Sequence, residues 1–170
     1  VKLNLPQNLK YNSVKKFKER FYKKYNLGEH ILENNLKKNA IVIDNKRYSN
    51  KEKQIINSLI KKINQTFKLN IKYINFVDIP KFQDQIKLIS NTNMYISAGG
   101  TGLMLHPFMK PGSIVINLGN YNKYPSYMET YLCESTNYLK CFYYKYNKKN
   151  EYKINFNYLF KLIINSSKLI

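Results

Sequence analysis

Short apolar segments alternate with amphipathic segments through the middle of this 170-residue chain, between Ala40 and Leu118. The first apolar segment, Ala40–Ile43, is continuous, as in a strand that is buried on both faces of a parallel sheet. The other apolar segments are Ile71 with Tyr73, Met94–Ile96, and Ile114–Ile116 with Leu118. Between them, apolar residues recur every three or four positions, which is the spacing of a helix that packs on one side. The pattern therefore predicts an α/β fold, a Rossmann-like parallel sheet with helices on both faces.

Capping and turn residues indicate where the helices of this region begin and end. Ser49–Glu52 is a capping box that opens the first helix, and Pro80 suits the first turn of the next one. The second strand could extend to Phe76–Val77. A short helix is expected after the third strand, ending before the helix-breaking pair Pro111–Gly112.

Two less regular regions flank this core. Before it, an apolar stripe from Val14 to Tyr25 predicts a helix, with Asn12 or Ser13 as its N-cap. After Asn120 the chain is rich in tyrosine, and we expect an extra strand within 138–146 and a terminal helix at about 155–164. We divide the chain into a helical extension, 1–39, and a Rossmann-like domain, 40–170. Because the first residue is valine, we expect the chain to be part of a longer protein.

The charge of the chain is strongly positive, with 29 basic and 10 acidic residues and a net charge of +19. Such a balance is typical of nucleic-acid-binding proteins. However, Lys, Asn, Ile and Tyr are all abundant, and all have A/T-rich codons, so genome composition accounts for much of the excess. Arginine, the usual residue for bidentate phosphate contacts, occurs only at Arg20 and Arg47. Nucleic acid is therefore an unfavoured partner.

A glycine-rich segment, Ser97–Gly102, directly follows the third strand. Ligands of open parallel sheets bind beyond the carboxyl ends of the strands, and glycines there let backbone N–H groups approach an anion. The segment could hold a diphosphate, or it could be a tight turn that only needs small residues. Arg47, just beyond the first strand, could contact a phosphate or could be a surface residue.

The order of motifs in this region resembles that of the family-61 glycosyltransferases. That family has a glutamine in the helix before the strand, then a His-Gly-Ala-Gly-Leu segment, then Phe-x-x-Pro-Gly and a strand that ends in glutamate. Here the matching residues are Gln85, Gly99–Leu103, Phe108–Gly112 and Ile114–Leu118. Upstream, Arg47 and Asn57 resemble the family's Arg…Arg…Asn segment, with Lys53 in place of the second arginine. The resemblance covers about 40–120.

Three departures from the family pattern lie within the predicted site. Gly99 stands where the family has histidine, Thr101 where it has alanine, and Asn117 where it has glutamate. A missing imidazole removes a donor to phosphate, and a missing carboxylate removes an acceptor for sugar hydroxyls. Asn117 keeps an amide oxygen that could accept one hydrogen bond.

The resemblance implies that this chain is the C-terminal, donor-binding half of a GT-B glycosyltransferase. It implies a nucleotide-sugar donor, such as a UDP-sugar, inverting transfer to a glycan or protein hydroxyl, and a partner in the N-terminal half of the same enzyme. We expect neither a cofactor nor a metal. Asp44, after the first strand, is the best-placed aspartate, but its position does not place it in a cleft. We therefore expect the catalytic base to come from the N-terminal half. The substrate-binding residues implied are Arg47, Gln85, Ser97, Gly99, Gly100, Thr101, Gly102 and Asn117.

Two alternatives stay open from the sequence. One is a basic nucleic-acid-binding module, and the other is a degenerate, inactive transferase retained for binding, which the changes at Gly99 and Asn117 favour. Cys133 and Cys141 could close a small loop in an oxidising compartment. The sequence does not determine the compartment. We expect the lumen of the secretory pathway if the protein comes from a eukaryotic cell, and the cytoplasm otherwise.

Overall fold

A computed structural model describes residues 7–27, 38–67, 69–100, 102–119, 133, 136–145 and 154–170. Four α-helices and five strands lie in these ranges. The helices are α1 (Gln7–Tyr25), α2 (Asn50–Thr66), α3 (Phe82–Ser90) and α4 (Phe156–Ser167). The strands are β1 (Lys38–Ile43), β2 (Leu69–Ile74), β3 (Met94–Ser97), β4 (Ile114–Asn117) and β5 (Lys140–Tyr143). Two 3₁₀ helices, Phe76–Asp78 and Leu103–Phe108, follow β2 and β3.

The five strands form one sheet in the order β2-β1-β3-β4-β5, and every neighbouring pair is parallel. The predicted parallel α/β sheet is therefore confirmed. The chain runs from β1 outward to β2 and then returns across β1 to form β3. The strand order thus reverses between β1 and β3, and such a reversal opens a crevice at the carboxyl ends of the two strands.

Alternate residues of the strands face two separate hydrophobic layers. On one face, Val42 and Ile96 pack with Ile56, Leu59 and Ile63 of α2 and with Leu159 and Ile163 of α4. On the other face, Ile41, Ile43 and Tyr95 pack with Ile86 and Ile89 of α3 and with Leu103 and Phe108 of the 3₁₀ helix. Burial on both faces explains why these strands are continuously apolar in sequence.

Helix α1 belongs to the second of these layers. The centroid of its Phe21 ring lies 4.9 Å from that of the Phe108 ring and 5.4 Å from that of the Phe82 ring. Lys18 Nζ and the Tyr22 hydroxyl donate hydrogen bonds to the carbonyls of Met109 and Phe108. The helix is therefore packed on the domain.

No helix among the described residues is long and apolar enough to cross a membrane.

Several local predictions can be compared with these boundaries. The capping box is confirmed, since the Ser49 hydroxyl accepts the Glu52 N–H and the Glu52 carboxylate accepts the Ser49 N–H. The predicted N-cap of α1 is wrong, because the helix already begins at Gln7. The extension of β2 to Phe76–Val77 is also wrong, because Asn75 accepts the Val77 N–H and turns the chain into a 3₁₀ helix. Pro80 precedes the N-cap of α3 instead of lying in its first turn.

The C-terminal part adds a strand and a helix, as predicted. β5 occupies Lys140–Tyr143, and α4 begins after Asn155, whose side chain accepts the Tyr158 N–H. Cys133 and Cys141 form a disulfide with a Cα–Cα distance of 6.2 Å, which ties β5 to the preceding segment. The bridge that the sequence left open is therefore present.

Candidate functional site

Three chain segments meet at the carboxyl edge of the sheet, next to the reversal between β1 and β3. They are residues 44–49 after β1, residues 97–100 and 102 at the end of β3, and residues 117–119 at the end of β4. Their proximity follows from the strand order, because β3 pairs with both β1 and β4. Six of the eight predicted site residues, Arg47, Ser97, Gly99, Gly100, Gly102 and Asn117, lie in these segments. Thr101 lies outside the described residues.

The glycines after β3 serve two different structural needs. Gly100 has a φ of +136°, which L side chains rarely adopt, and a Cβ there would come no nearer than 3.9 Å to Asn45 Nδ2. Gly102 packs tightly, since a Cβ would lie 3.2 Å from Ile43 Cγ2. The Gly102 carbonyl accepts a hydrogen bond from the Tyr95 hydroxyl. Gly102 is thus explained by packing, whereas Gly100 has a backbone conformation that favours glycine, with only an ordinary van der Waals contact at its Cβ position.

The segment after β1 contacts this turn through two side chains. Arg47 Nη1 donates to the Gly99 carbonyl at 3.3 Å, and Asn45 Nδ2 donates to the same oxygen at 3.2 Å. The Arg47 side chain is otherwise exposed. The structure therefore brings Arg47 and the glycine turn together across the crevice, 52 residues apart in sequence.

The Asp44 carboxylate, next to Asn45 in the chain, accepts several hydrogen bonds. It accepts from the Tyr73 hydroxyl, from Lys53 Nζ and from the Asn45 N–H. Burial raises the pKa of Asp44, but the hydrogen bonds from Tyr73 and Lys53 and the lysine charge outweigh it, so the pKa is lowered overall. Burial and the neighbouring carboxylate raise the pKa of Tyr73. A carboxylate with a depressed pKa and three donors is a weak proton acceptor, so Asp44 is poorly suited as a general base.

Two of the predicted site residues make hydrogen bonds to nearby backbone. Gln85 Nε2 donates to the carbonyls of Ile79 at 2.8 Å and Phe76 at 3.4 Å, which holds the 3₁₀ segment after β2. Ser97 is buried, and its hydroxyl donates to the Ala98 carbonyl at 3.1 Å. Gln85 therefore holds the segment that follows β2, and both of these hydrogen bonds are with that segment.

Asn117 shapes the turn after β4. Its Oδ1 accepts the Gly119 N–H at 2.7 Å, and its side chain is buried. A Cβ on Gly119 would lie 2.8 Å from that same oxygen and 3.7 Å from the Gly99 nitrogen. The β4 turn therefore packs close to the glycine turn, and the Asn117 amide oxygen is used within its own loop.

His106 is enclosed in the interior of the domain. It is fully buried, with Nδ1 at 2.6 Å from the Leu103 carbonyl, and His30 is outside the described residues. Among the residues that the structure describes, no three His, Cys, Asp or Glu side chains are grouped so that they could hold a metal ion.

Sequence reasoning did not identify Asn45, Tyr73 or Gly119 as neighbours of the site. The strand-end rule that selected Arg47 could have selected Asn45, since both follow β1. Tyr73 could not be found in this way, because its contact with Asp44 depends on β2 pairing beside β1. Gly119 directly follows the predicted strand that ends at Leu118, and no motif marks it.

Comparison with known proteins adds one positive result to this geometry. The model of the family described as Glycosyltransferase 61 matches residues 4–116, which is more than half of the chain. The match includes α1 and runs from there to β4, so it starts earlier than the residues that carry the resemblance in sequence. A search of curated proteins finds none that matches. The fold, the strand-end site and the matched range agree, and this chain belongs to the glycosyltransferase 61 family.

Proposed function

We propose that this chain is the donor-binding half of a GT-B glycosyltransferase that uses a nucleotide sugar, in the first instance a UDP-sugar. The diphosphate would occupy the crevice between the carboxyl ends of β1 and β3. The observation that carries the proposal is the meeting of Arg47 with the Gly99–Gly100 turn, in a chain of this family. A glycosyltransferase must bind an anionic donor, and this edge combines a cation with glycine backbone.

The chemistry of these groups suits a diphosphate. Arg47 offers a planar guanidinium with several donors, and its exposed side chain can turn from a backbone carbonyl to a phosphate. Gly100 has no side chain at a point where a Cβ would only be in van der Waals contact with Asn45 Nδ2, so phosphate oxygens could approach the backbone closely. We therefore propose that Arg47 and backbone N–H groups neutralise the diphosphate, with no metal cofactor.

The proposed reaction is inverting transfer to a hydroxyl of a glycan or protein acceptor. Such a transfer needs a base to take the proton of the attacking hydroxyl. Asp44, with its depressed pKa, is a poor candidate, so we assign the base to the N-terminal half of the enzyme, facing this edge.

A second candidate is a transferase domain that binds the donor without turnover. The observation that favours it is the engagement of Asn117 Oδ1 by the Gly119 N–H, since the family has a carboxylate at this position. Donor binding without transfer or donor hydrolysis, in a protein that includes the N-terminal half, would distinguish this candidate.

Calorimetry with UDP, GDP and their sugars tests the proposal, using Arg47→Lys as the key variant. The substitution keeps the charge but loses the planar fork. Losing one charge-assisted hydrogen bond, worth roughly 1.5–3 kcal/mol, should weaken UDP binding about tenfold or more. Arg20→Lys is the matched control, because Arg20 is the other arginine, is exposed and lies on α1. It should bind UDP like the wild type.

A single-stranded oligonucleotide, titrated at two salt concentrations, tests the nucleic-acid alternative with the same variants. In that case Arg47 is one cation among 29 basic residues, and neither substitution should change affinity or its salt dependence. Equal UDP binding by the wild type and Arg47→Lys would remove Arg47 from the site. Absence of binding to every nucleotide, in a folded protein that includes the N-terminal half, would refute the donor-binding proposal.

A further inference from the structure

We propose that Asn45 is a positioning residue for the phosphate half of the donor site, an inference that rests on the proposed function. Its side-chain amide bridges two parts of the crevice. Nδ2 donates to the Gly99 carbonyl at 3.2 Å, and Oδ1 accepts the Arg47 N–H at 3.0 Å. One amide thus links the glycine turn after β3 to the backbone of the residue that carries the guanidinium.

The backbone of Asn45 is itself held in place by Asp44. Its backbone N–H donates to Asp44 Oδ1 at 2.8 Å, and the same carboxylate is bound by the Tyr73 hydroxyl and by Lys53 Nζ. Tyr73 belongs to β2 and Lys53 to α2. The amide therefore projects from a point that two other elements fix, as a group that positions a ligand site must.

The contact with Gly99 also orients a peptide group. In a planar trans peptide, the carbonyl of one residue and the N–H of the next point in opposite directions. The described residues contain no cis peptide bond. By holding the Gly99 carbonyl toward the β1 segment, Asn45 fixes the orientation of the peptide group between Gly99 and Gly100. The Asn45 amide thus fixes the shape of the glycine turn that borders the proposed site.

The same contact removes an electrostatic obstacle. A carbonyl oxygen carries partial negative charge, which would repel a phosphate beside it. A carbonyl has two lone pairs, and here Asn45 Nδ2 and Arg47 Nη1 both donate to the Gly99 oxygen. When Arg47 moves to a phosphate, Asn45 still covers that oxygen and still holds the turn. The neutral amide and the mobile guanidinium therefore have separate tasks.

The test compares Asn45→Asp and Asn45→Ala with the control Asn75→Asp. Asn45→Asp keeps an acceptor for the Arg47 N–H but replaces the donor to Gly99 with an oxygen. Asn75 makes the equivalent contact after β2, accepting the Val77 N–H at 3.1 Å, so its substitution adds the same charge at the next strand end. Each protein is titrated with UDP by calorimetry and with uridine, which lacks phosphate, by NMR.

We expect Asn45→Asp to weaken UDP binding about tenfold or more and Asn45→Ala roughly fivefold, with uridine affinity unchanged. Asn75→Asp should stay within about threefold of the wild type for UDP. A ¹⁵N-labelled sample should show UDP shifting the Gly100 amide signal in the wild type and much less in Asn45→Ala. That comparison remains decisive should the aspartate variant not fold.

Three results would overturn the inference. Equal losses of UDP and uridine affinity would mean that Asn45 only supports the local fold. Wild-type UDP affinity in both Asn45 variants would refute the role of Asn45 and leave the donor-binding proposal intact. Failure of a folded wild-type protein that includes the N-terminal half to bind any nucleotide would refute the donor-binding proposal, and the inference with it.

Discussion

Gly100 and Gly112 form a natural pair for testing whether the glycine turn binds phosphate. Both have positive φ, +136° for Gly100 and +81° for Gly112. A Cβ on Gly100 would lie 3.9 Å from Asn45 Nδ2, and a Cβ on Gly112 would have no neighbour within 4 Å. Gly100 lies at the carboxyl edge, whereas Gly112 precedes β4 at the opposite end of the strands. Alanine at either position therefore strains the backbone without a steric clash, but only one of them borders the proposed site.

The expected stability loss follows from the backbone alone. A non-glycine residue in a sparsely populated φ region costs on the order of 1–3 kcal/mol. The more extreme φ of Gly100 places Gly100→Ala toward the upper part of that range and Gly112→Ala toward the lower part. For a chain of this size, each 1 kcal/mol lowers Tm by roughly 2–4 °C, so both losses can be measured by thermal unfolding.

The binding consequence separates the two variants. A methyl group on Gly100 would occupy the space through which a phosphate approaches the backbone, and the strained turn would misdirect its N–H groups. We expect Gly100→Ala to weaken UDP binding about tenfold or more, which corresponds to the loss of one charge-assisted hydrogen bond. Gly112→Ala should bind UDP like the wild type despite its own loss of stability. Unchanged UDP affinity in folded Gly100→Ala, or equal losses in both variants, would refute the assignment of the turn to the phosphate site.

Two further predictions concern stability. Tyr73→Phe removes a hydrogen bond that helps to keep the pKa of Asp44 below its ordinary value. A lowered carboxyl pKa stabilises the fold above the unfolded value of about 4, and this contribution is lost as the pH falls through the lower folded value. Urea unfolding should therefore show the variant to be about 1 kcal/mol less stable at pH 7, with a difference that shrinks below pH 4; a constant difference would contradict the role of Asp44. Reduction of the disulfide between Cys133 and Cys141, which closes a short loop, should cost roughly 2–3 kcal/mol in the same assay and leave UDP affinity unchanged. An unchanged unfolding midpoint after complete reduction would contradict the disulfide's stabilising role.

Much of the candidate site could be placed from sequence because it depends on strand ends. The apolar runs fix where β1, β3 and β4 stop, and in a parallel sheet those ends share one edge. Arg47 and the glycine turn were found by this rule, whereas Asn117 was found through the family resemblance. The position of a residue in the sequence does not tell what its side chain contacts. The hydrogen bonds of Gln85 and Asn117 to nearby backbone could therefore not be predicted.

The sequence by itself determined the elements and the backbone needs that are local in the chain. Hydrophobic periodicity over a few residues decides strand or helix, as in Ala40–Ile43, and a capping box needs only Ser49 and Glu52 in register. The glycine turn and the order of the family motifs are equally local, so they could be read directly.

Only the tertiary structure decided which strand ends are neighbours and which side chains meet across them. β3 could have paired beyond β2, but packing places it beside β1, and this brings Asn45 and Arg47 onto the Gly99 carbonyl. It also sets Tyr73 of β2 against Asp44, so that Asp44 has a lowered pKa. These outcomes depend on contacts between residues far apart in the chain, whose free energies reflect the packing of the whole sheet and its two helical layers.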